Sequence, residues 1–207
     1  LWDKNIITKH KVNFQKGLRP RTKGFAPHEA IDIVRHILPK NGIISFDVGA
    51  HTHQIASQWT AYEPKTFLIT NGWSSMGFGL PGAISAKLAS PDRQVVALIG
   101  DGCFQMTCGE LAVAKRLNIT LPVVVLDDSW LSLIQVKQDR RSYELYGTKL
   151  NERSPKSPPS HYFGVPAYGA NTPDDLEKLL KKAFKNAGPS VIEAKVNPEH
   201  YMETVFD

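Results

Sequence analysis

With 207 residues and 42% hydrophobic composition, the chain can bury one sizeable core and has the length of a single α/β domain. Its net charge of +5 hints at a polyanionic partner, yet seven Lys or Arg against Asp3 alone fall within residues 1–24, so the remainder is close to neutral. No basic stripe with interleaved aromatics, no membrane-length apolar run and only Cys103 and Cys108 argue against nucleic-acid reading, membrane spanning and a disulfide framework, and point to a cytoplasmic protein with no nucleic-acid or membrane partner.

Residues 1–24 carry Gly17, Pro20 and Gly24 among their basic residues and read as a linker or extended arm, separate from a domain over residues 25–207. The first residue is Leu1, so the chain is expected to be a piece of something longer. Helical periodicity starts at Pro27, well placed for a first turn, and runs to Leu38. A strand follows over residues 42–47, then a short helix near residues 54–59, a strand over 66–70 and a helix over about 77–88. The β-branched run QVVALI at residues 94–99 predicts a buried strand, and FQMTCGELAVAKRL at 104–117 a helix ending in Lys and Arg. LPVVVL at 121–126 predicts another buried strand, and 131 to about 138 a short helix. Residues 147–160, rich in Pro, Ser and charge, predict an exposed loop; 160–164 read as a helix start, 165–168 as a short edge strand, 172–187 as a helix and 190–196 as a last strand. This alternation predicts a three-layer, doubly wound α/β fold whose mostly parallel sheet has helices on both faces.

Between the strand at 94–99 and the helix after it stands Gly100-Asp101-Gly102, and the next strand delivers Asp127 and Asp128 to the same sheet edge. Open parallel sheets bind ligands beyond their carboxyl strand ends, glycine lets backbone approach a phosphate, and two carboxylates from neighbouring strands suit Mg²⁺ completed by phosphate oxygens and water. Gly-Asp-Gly alone is equally compatible with an ordinary βα turn. The wider pattern is more specific. Gly100-Asp101-Gly102 and, after the next apolar strand, a polar pair resemble the thiamine diphosphate signature; NGWSSMGFGLPGAISA at 71–86 resembles the glycine-rich MGxGLPxAxGA segment of the same family; DVGAHTHQ at 47–54 resembles its GxGQHQ segment; and PEHYMETVFD at 198–207 resembles a common carboxyl tail. Four such segments in order, over residues 26 to 207, resemble the diphosphate-binding domain of acetolactate synthase-like enzymes.

The resemblance implies thiamine diphosphate and Mg²⁺ as cofactors. It implies that Asp101, Asp128 and the carbonyl of Trp130 hold the cation, that Gly100, Gly102 and Cys103 present backbone to the diphosphate, and that Ala50 and His51 approach it, with Thr52 and His53 at the phosphate-contact positions. It makes Met76 the fulcrum that bends the cofactor and the Ser74 carbonyl an acceptor for its aminopyrimidine. Without the motif, Met76 would read as a core gap-filler, His53 as a polar surface histidine and Cys103 as small-residue packing. Departures from the family pattern are Asp128 for Asn, Thr52 for Gln, Lys137 for a pocket Trp and Ser132 for Gly; Asp128 adds a negative charge beside Asp101 and a diphosphate.

The implied activity is decarboxylation or carboligation of 2-oxo acids, by a chain that lacks the activating glutamate of a partner pyrimidine-binding domain, in a homo-oligomer. The alternatives are a 2-hydroxyacyl-CoA lyase, a subunit of a split 2-oxo acid decarboxylase, and a non-catalytic regulatory or assembly module that keeps the fold.

Overall fold

The structure, a computed structural model, describes residues 3–21, 23–150 and 158–205. Its centre is a seven-stranded sheet built from β1 (Ile43–Phe46), β2 (Phe67–Leu68), β3 (Val95–Gly100), β4 (Leu121–Asp127), β5 (His161–Tyr162), β6 (Val165–Ala170) and β7 (Pro189–Lys195), in the order β2-β1-β3-β4-β7-β6-β5. Every pairing is parallel except that of β5 with β6.

The pleat sends alternate side chains to opposite faces. Ile44, Phe46, Val96, Leu98, Val124, Leu126, Ile192 and Ala194 pack under α2 (Pro27–Ile37), α3 (Ala50–Gln58) and α8 (Pro173–Ala183). Their neighbours Ile43, Val95, Ala97, Ile99, Val123, Val125 and Val191 pack under α4 (Gly79–Ala89), α5 (Asp101–Thr107) and α6 (Leu111–Arg116). β3 and β4 are buried along their whole length, which is why both read as unbroken apolar runs rather than alternating ones. Each such Ile, Leu or Val contributes about 1.5–3 kcal/mol by leaving water. The fold is therefore the three-layer α/β arrangement expected.

Several local expectations are corrected. The basic N-terminal stretch is not extended: Lys4–Gly17 form helix α1, capped by the Asp3 carboxylate on the Asn5 N–H, and none of its residues is buried. The segment 160–164 does not start a helix. Phe163 and Gly164 both take positive φ, 51° and 74°, the backbone of a tight two-residue hairpin that folds β5 back on β6. β6 is consequently not an edge strand, because β5 lies outside it. The helix expected over 104–117 begins at Asp101 and is broken by a 3₁₀ turn at Cys108–Glu110, where Gly109 weakens the α geometry. The exposed loop expected over 147–160 is irregular and largely exposed at 147–150 and 158–160, except that Thr148 is buried and Lys149 forms an isolated bridge with Trp130; residues 151–157 lie outside the described residues. α8 stops at Ala183, short of the expected residue 187.

Two further elements, α7 (Ser132–Arg140) and α9 (Tyr201–Thr204), lie beside the carboxyl ends of the strands. They pack on each other through Val136, Leu133, Tyr201 and Val205, and the Arg140 guanidinium donates to the carbonyls of Met202 and Val205 at 2.7 and 2.8 Å.

Candidate functional site

Register brings the two acidic segments together. Gly100 on β3 stands opposite Leu126 on β4, so Asp101 and the pair Asp127 and Asp128 leave neighbouring parallel strands at one level. Asp101 opens α5, and its Oδ1 accepts from the Gly102 N–H at 2.8 Å. Its Oδ2 accepts from the Ser129 N–H at 2.8 Å, a bond that clasps the two loops to each other. Ser129 holds a left-handed φ of 67°, which turns the chain so that Trp130 can donate its N–H to Asp128 Oδ1 at 2.8 Å. Ser132 Oγ donates to Asp128 Oδ2 at 2.7 Å. Asp127 is turned elsewhere: it is ion-paired with Lys195 on β7 and accepts from Ser129 Oγ.

Trp130 forms an antiparallel bridge with Lys149 whose hydrogen bonds run from Leu131 N to Thr148 O and from Leu150 N to Ser129 O. That pattern uses the carbonyls on either side and leaves the Trp130 carbonyl out of the pairing.

The glycine-rich loop is fixed by a residue to which the sequence reading gave no role. Asp47, fully buried at the end of β1, accepts from the N–H groups of Val48, Gly77 and Gly79 at 2.9–3.0 Å. Gly79 must be glycine, because a Cβ would lie 2.4 Å from Ile99 Cγ2. Ser74, in the left-handed region with φ 49°, and Met76 are held in the same loop. A Cβ on Gly102 would stand 2.9 Å from Leu131 Cδ2 and 3.4 Å from Met76 Cε, so the α5 start, the loop tip and the Leu131 wall meet closely around a space into which any larger residue at 102 would project.

That space is a cavity of about 220 Å³. Ala50, His51, Ser74, Met76, Gly100, Asp101, Gly102, Cys103, Asp128 and Trp130 all line it. Thr52 and His53 do not: the Thr52 hydroxyl accepts from Gly49 N at 2.8 Å and donates to Asp47 O at 2.5 Å, so it serves the start of α3. Lining residues to which the resemblance assigned no role include Val48, Leu131, Leu133, Ile134 and Tyr201, which make one wall apolar. A hydrophobic run directly after the second acidic pair was the signal available for Leu131 to Ile134; Tyr201 lies in the carboxyl-tail motif at 198–207, which carries no local sign of a place at the cavity.

Charge is concentrated at one end of this cavity. Burial first, and then the neighbouring carboxylates of Asp128 and Asp127, push Asp101 well above the ordinary carboxylate range. Burial also raises Asp128, against the opposing pull of the Ser132 and Trp130 hydrogen bonds. His51 is neutral: burial holds it down to about 4, and its Nε2 is buried without a hydrogen-bond partner. Burial and the Asp47 charge raise the Cys103 thiol, which donates to Val48 O at 3.1 Å and stays protonated.

Two crowded carboxylates that resist ionising together, with a carbonyl beside them, form a hard-oxygen donor set for a divalent cation. Each carboxylate oxygen that already accepts one hydrogen bond retains a second lone pair. The partnerless His51 Nε2 and the space kept open at Gly102 provide room and polarity for an anionic ligand beside that cation. Among the described residues no group of three or more His, Cys, Asp or Glu could hold a metal ion, so any cation here needs the backbone carbonyl or ligand oxygens as well.

Known proteins resemble the chain over most of its length. The family model described as thiamine pyrophosphate enzyme, C-terminal TPP binding domain, matches residues 47–194. The chain is 30% identical over 209 residues to acetolactate synthase 1, chloroplastic, of Nicotiana tabacum, with 96% of this chain and 31% of the relative aligned. It is 32% identical over 155 residues to the acetolactate synthase large subunit of Lactococcus lactis, covering 72% of this chain and 27% of that one. The chain thus spans about a third of the length of these relatives. Among solved structures, a Rhodococcus jostii thiamine diphosphate-dependent 4-hydroxybenzoylformate decarboxylase superposes with a TM-score of 0.77 at 24% identity, over 86% of this chain and 34% of that one, and shares the fold. The matched residues run from the Asp47 anchor through Asp101, Asp128 and the β7 strand that completes the sheet, and on that span the chain belongs to the C-terminal thiamine pyrophosphate-binding domain family of acetolactate synthase-like enzymes.

Proposed function

We propose that residues 25–207 anchor thiamine diphosphate through a Mg²⁺ ion, as the diphosphate-binding part of an enzyme that decarboxylates or carboligates 2-oxo acids. The observation that carries this reading is the convergence of Asp101 and Asp128 on one cavity from neighbouring strands, clasped by the Ser129 N–H. Asp101, Asp128 and the Trp130 carbonyl would hold the cation, and the first turn of α5 around Cys103, with the backbone of Ala50 and His51, would face the diphosphate. Thr52 and His53 are set aside from this set because neither lines the cavity. Bound there, the cofactor would supply the carbon nucleophile that attacks a 2-oxo acid carbonyl, and the protein's share is binding, orientation and electrostatics.

The chain's own residues do the following in that reading. Met76, pressed against Gly102, presents an apolar support to the middle of an elongated ligand, and the Ser74 carbonyl is the acceptor at its far end. Leu131, Leu133 and Ile134 exclude water from the wall beside the acids. Neutral His51 adds no charge and offers its partnerless Nε2. The unpaired thiols Cys103 and Cys108 fit a reducing, cytoplasmic location.

Isothermal calorimetry with thiamine diphosphate and Mg²⁺ on the chain and on Asp101→Ala tests the assignment. Wild type is expected to bind, and the variant to lose at least about 100-fold in affinity, since even outer partners of metal ligands are worth 10–100-fold. Equal binding by both proteins would overturn the cation site. No heat from either protein with the partner pyrimidine-binding domain present would favour the non-catalytic module, a reading that Asp128 in place of the family's Asn supports.

A further inference from the structure

The hydrogen bonds on Asp128 are unequal in origin. Its Oδ1 is held by the Trp130 N–H, which any residue but proline at 130 would supply. Its Oδ2 is held by a side chain, the Ser132 hydroxyl, at 2.7 Å. Ser132 is buried, 6% exposed, opens α7, and lines the same cavity. Its hydroxyl must donate to the carboxylate, which has no proton to offer when ionised. Donors on both oxygens fix the plane of the Asp128 carboxylate and leave one lone pair on each oxygen for another ligand. Glycine at 132, the residue that the family pattern carries there, would leave Oδ2 without that partner and Asp128 free to turn in a site already crowded by Asp101 and Asp127.

We propose that Ser132 is a positioning residue for the divalent cation: its hydroxyl locks the Asp128 carboxylate so that the ion is shared by Asp101, Asp128 and the Trp130 carbonyl. Asp128 and Ser132 thus act as one unit, the hydroxyl supplying the donor that a carboxylate requires. The inference rests on the cation site proposed above and adds a residue that acts on it through Asp128.

The probe is Mn²⁺, titrated by electron paramagnetic resonance in the presence of thiamine diphosphate against the full chain, with thermal unfolding run on every variant. Ser132→Ala is expected to weaken Mn²⁺ binding about tenfold, and Ser132→Thr, which keeps the hydroxyl, to restore it to within about twofold. In the Asp128→Asn background, where a neutral amide replaces the charged acceptor, Ser132→Ala is expected to cost less than about threefold. Wild-type affinity in Ser132→Ala, with binding lost in Asp101→Ala, would overturn the positioning role and leave the cation site standing. A tenfold loss that persists in the Asp128→Asn background would also overturn it. A wild-type chain that takes up no Mn²⁺ would overturn both.

Discussion

His200 stacks edge-on against His28 with ring centroids 5.0 Å apart, is 1% exposed, and has no hydrogen-bond partner for either ring nitrogen. Burial holds it down to about 4; the His28 ring pushes the same way, and the carboxylates of Glu29 and Glu199 oppose it. In the unfolded chain an ordinary histidine titrates near 6.5, so below that pH the unfolded state takes up a proton that the folded state refuses. The neutral ring's stability is complete above 6.5 and is lost as pH falls toward 4. Urea unfolding at pH 7 and pH 5 should therefore show wild type losing roughly 2 kcal/mol more than His200→Gln across that interval. His51 contributes with the same sign. At this scale a residue's place was legible wherever it is set locally: Asp101 and Asp128 follow strands directly, Met76 sits inside a glycine-rich motif, and all three line the cavity. Tyr201 stood in a quoted tail motif, yet its place at the cavity was not legible, because it gets there only after α9 docks on α7. Asp47 was quoted within a motif, yet its grip on Gly77 and Gly79, thirty and thirty-two residues on, is a tertiary fact.

Among elements, the strands and the helices that cover them were read from apolar runs and 3.6-residue periodicity, and the misreadings share one cause: short-range backbone features outweighed composition. Phe163 at a positive φ before Gly164 closes the β5–β6 hairpin, although the segment looked helical. Helix α1 escaped notice because its apolar residues, Ile6 at 62% and Val12 at 61% exposure, pack on no core and leave no amphipathic stripe worth burying. The segment after it is tied down: Leu18 is buried, Arg19 pairs with Asp32 at 2.7 Å, and Gln54 Nε2 donates to the Leu18 carbonyl at 2.9 Å. Deleting residues 1–14, just ahead of these contacts, is therefore expected to change folding stability by less than about 1 kcal/mol in urea titrations. A larger loss would mean that α1 packs in a way its exposure does not suggest.

For the whole molecule, the fold class was legible because strand and helix alternate along the chain, whereas the strand order was not, since pairing is decided between distant segments. Beside the cavity, apolar surface is exposed at Ile134, which lines it, and at Trp73, next to the lining residue Ser74, at 47% and 95%. No helix among the described residues is long and apolar enough to cross a membrane. Assayed alone with thiamine diphosphate and Mg²⁺, the chain is expected to show no pyruvate decarboxylation, and turnover by it alone would refute the need for a partner domain. The sheet order has a consequence for biosynthesis. β7, the last strand, inserts between β4 and β6, so a nascent chain still short of residue 189 holds two half-sheets with a gap at their centre. That seam closes only once residues 189–195 have been made, and a stop upstream of β7 would leave two unzipped edges prone to aggregation rather than a slightly smaller sheet.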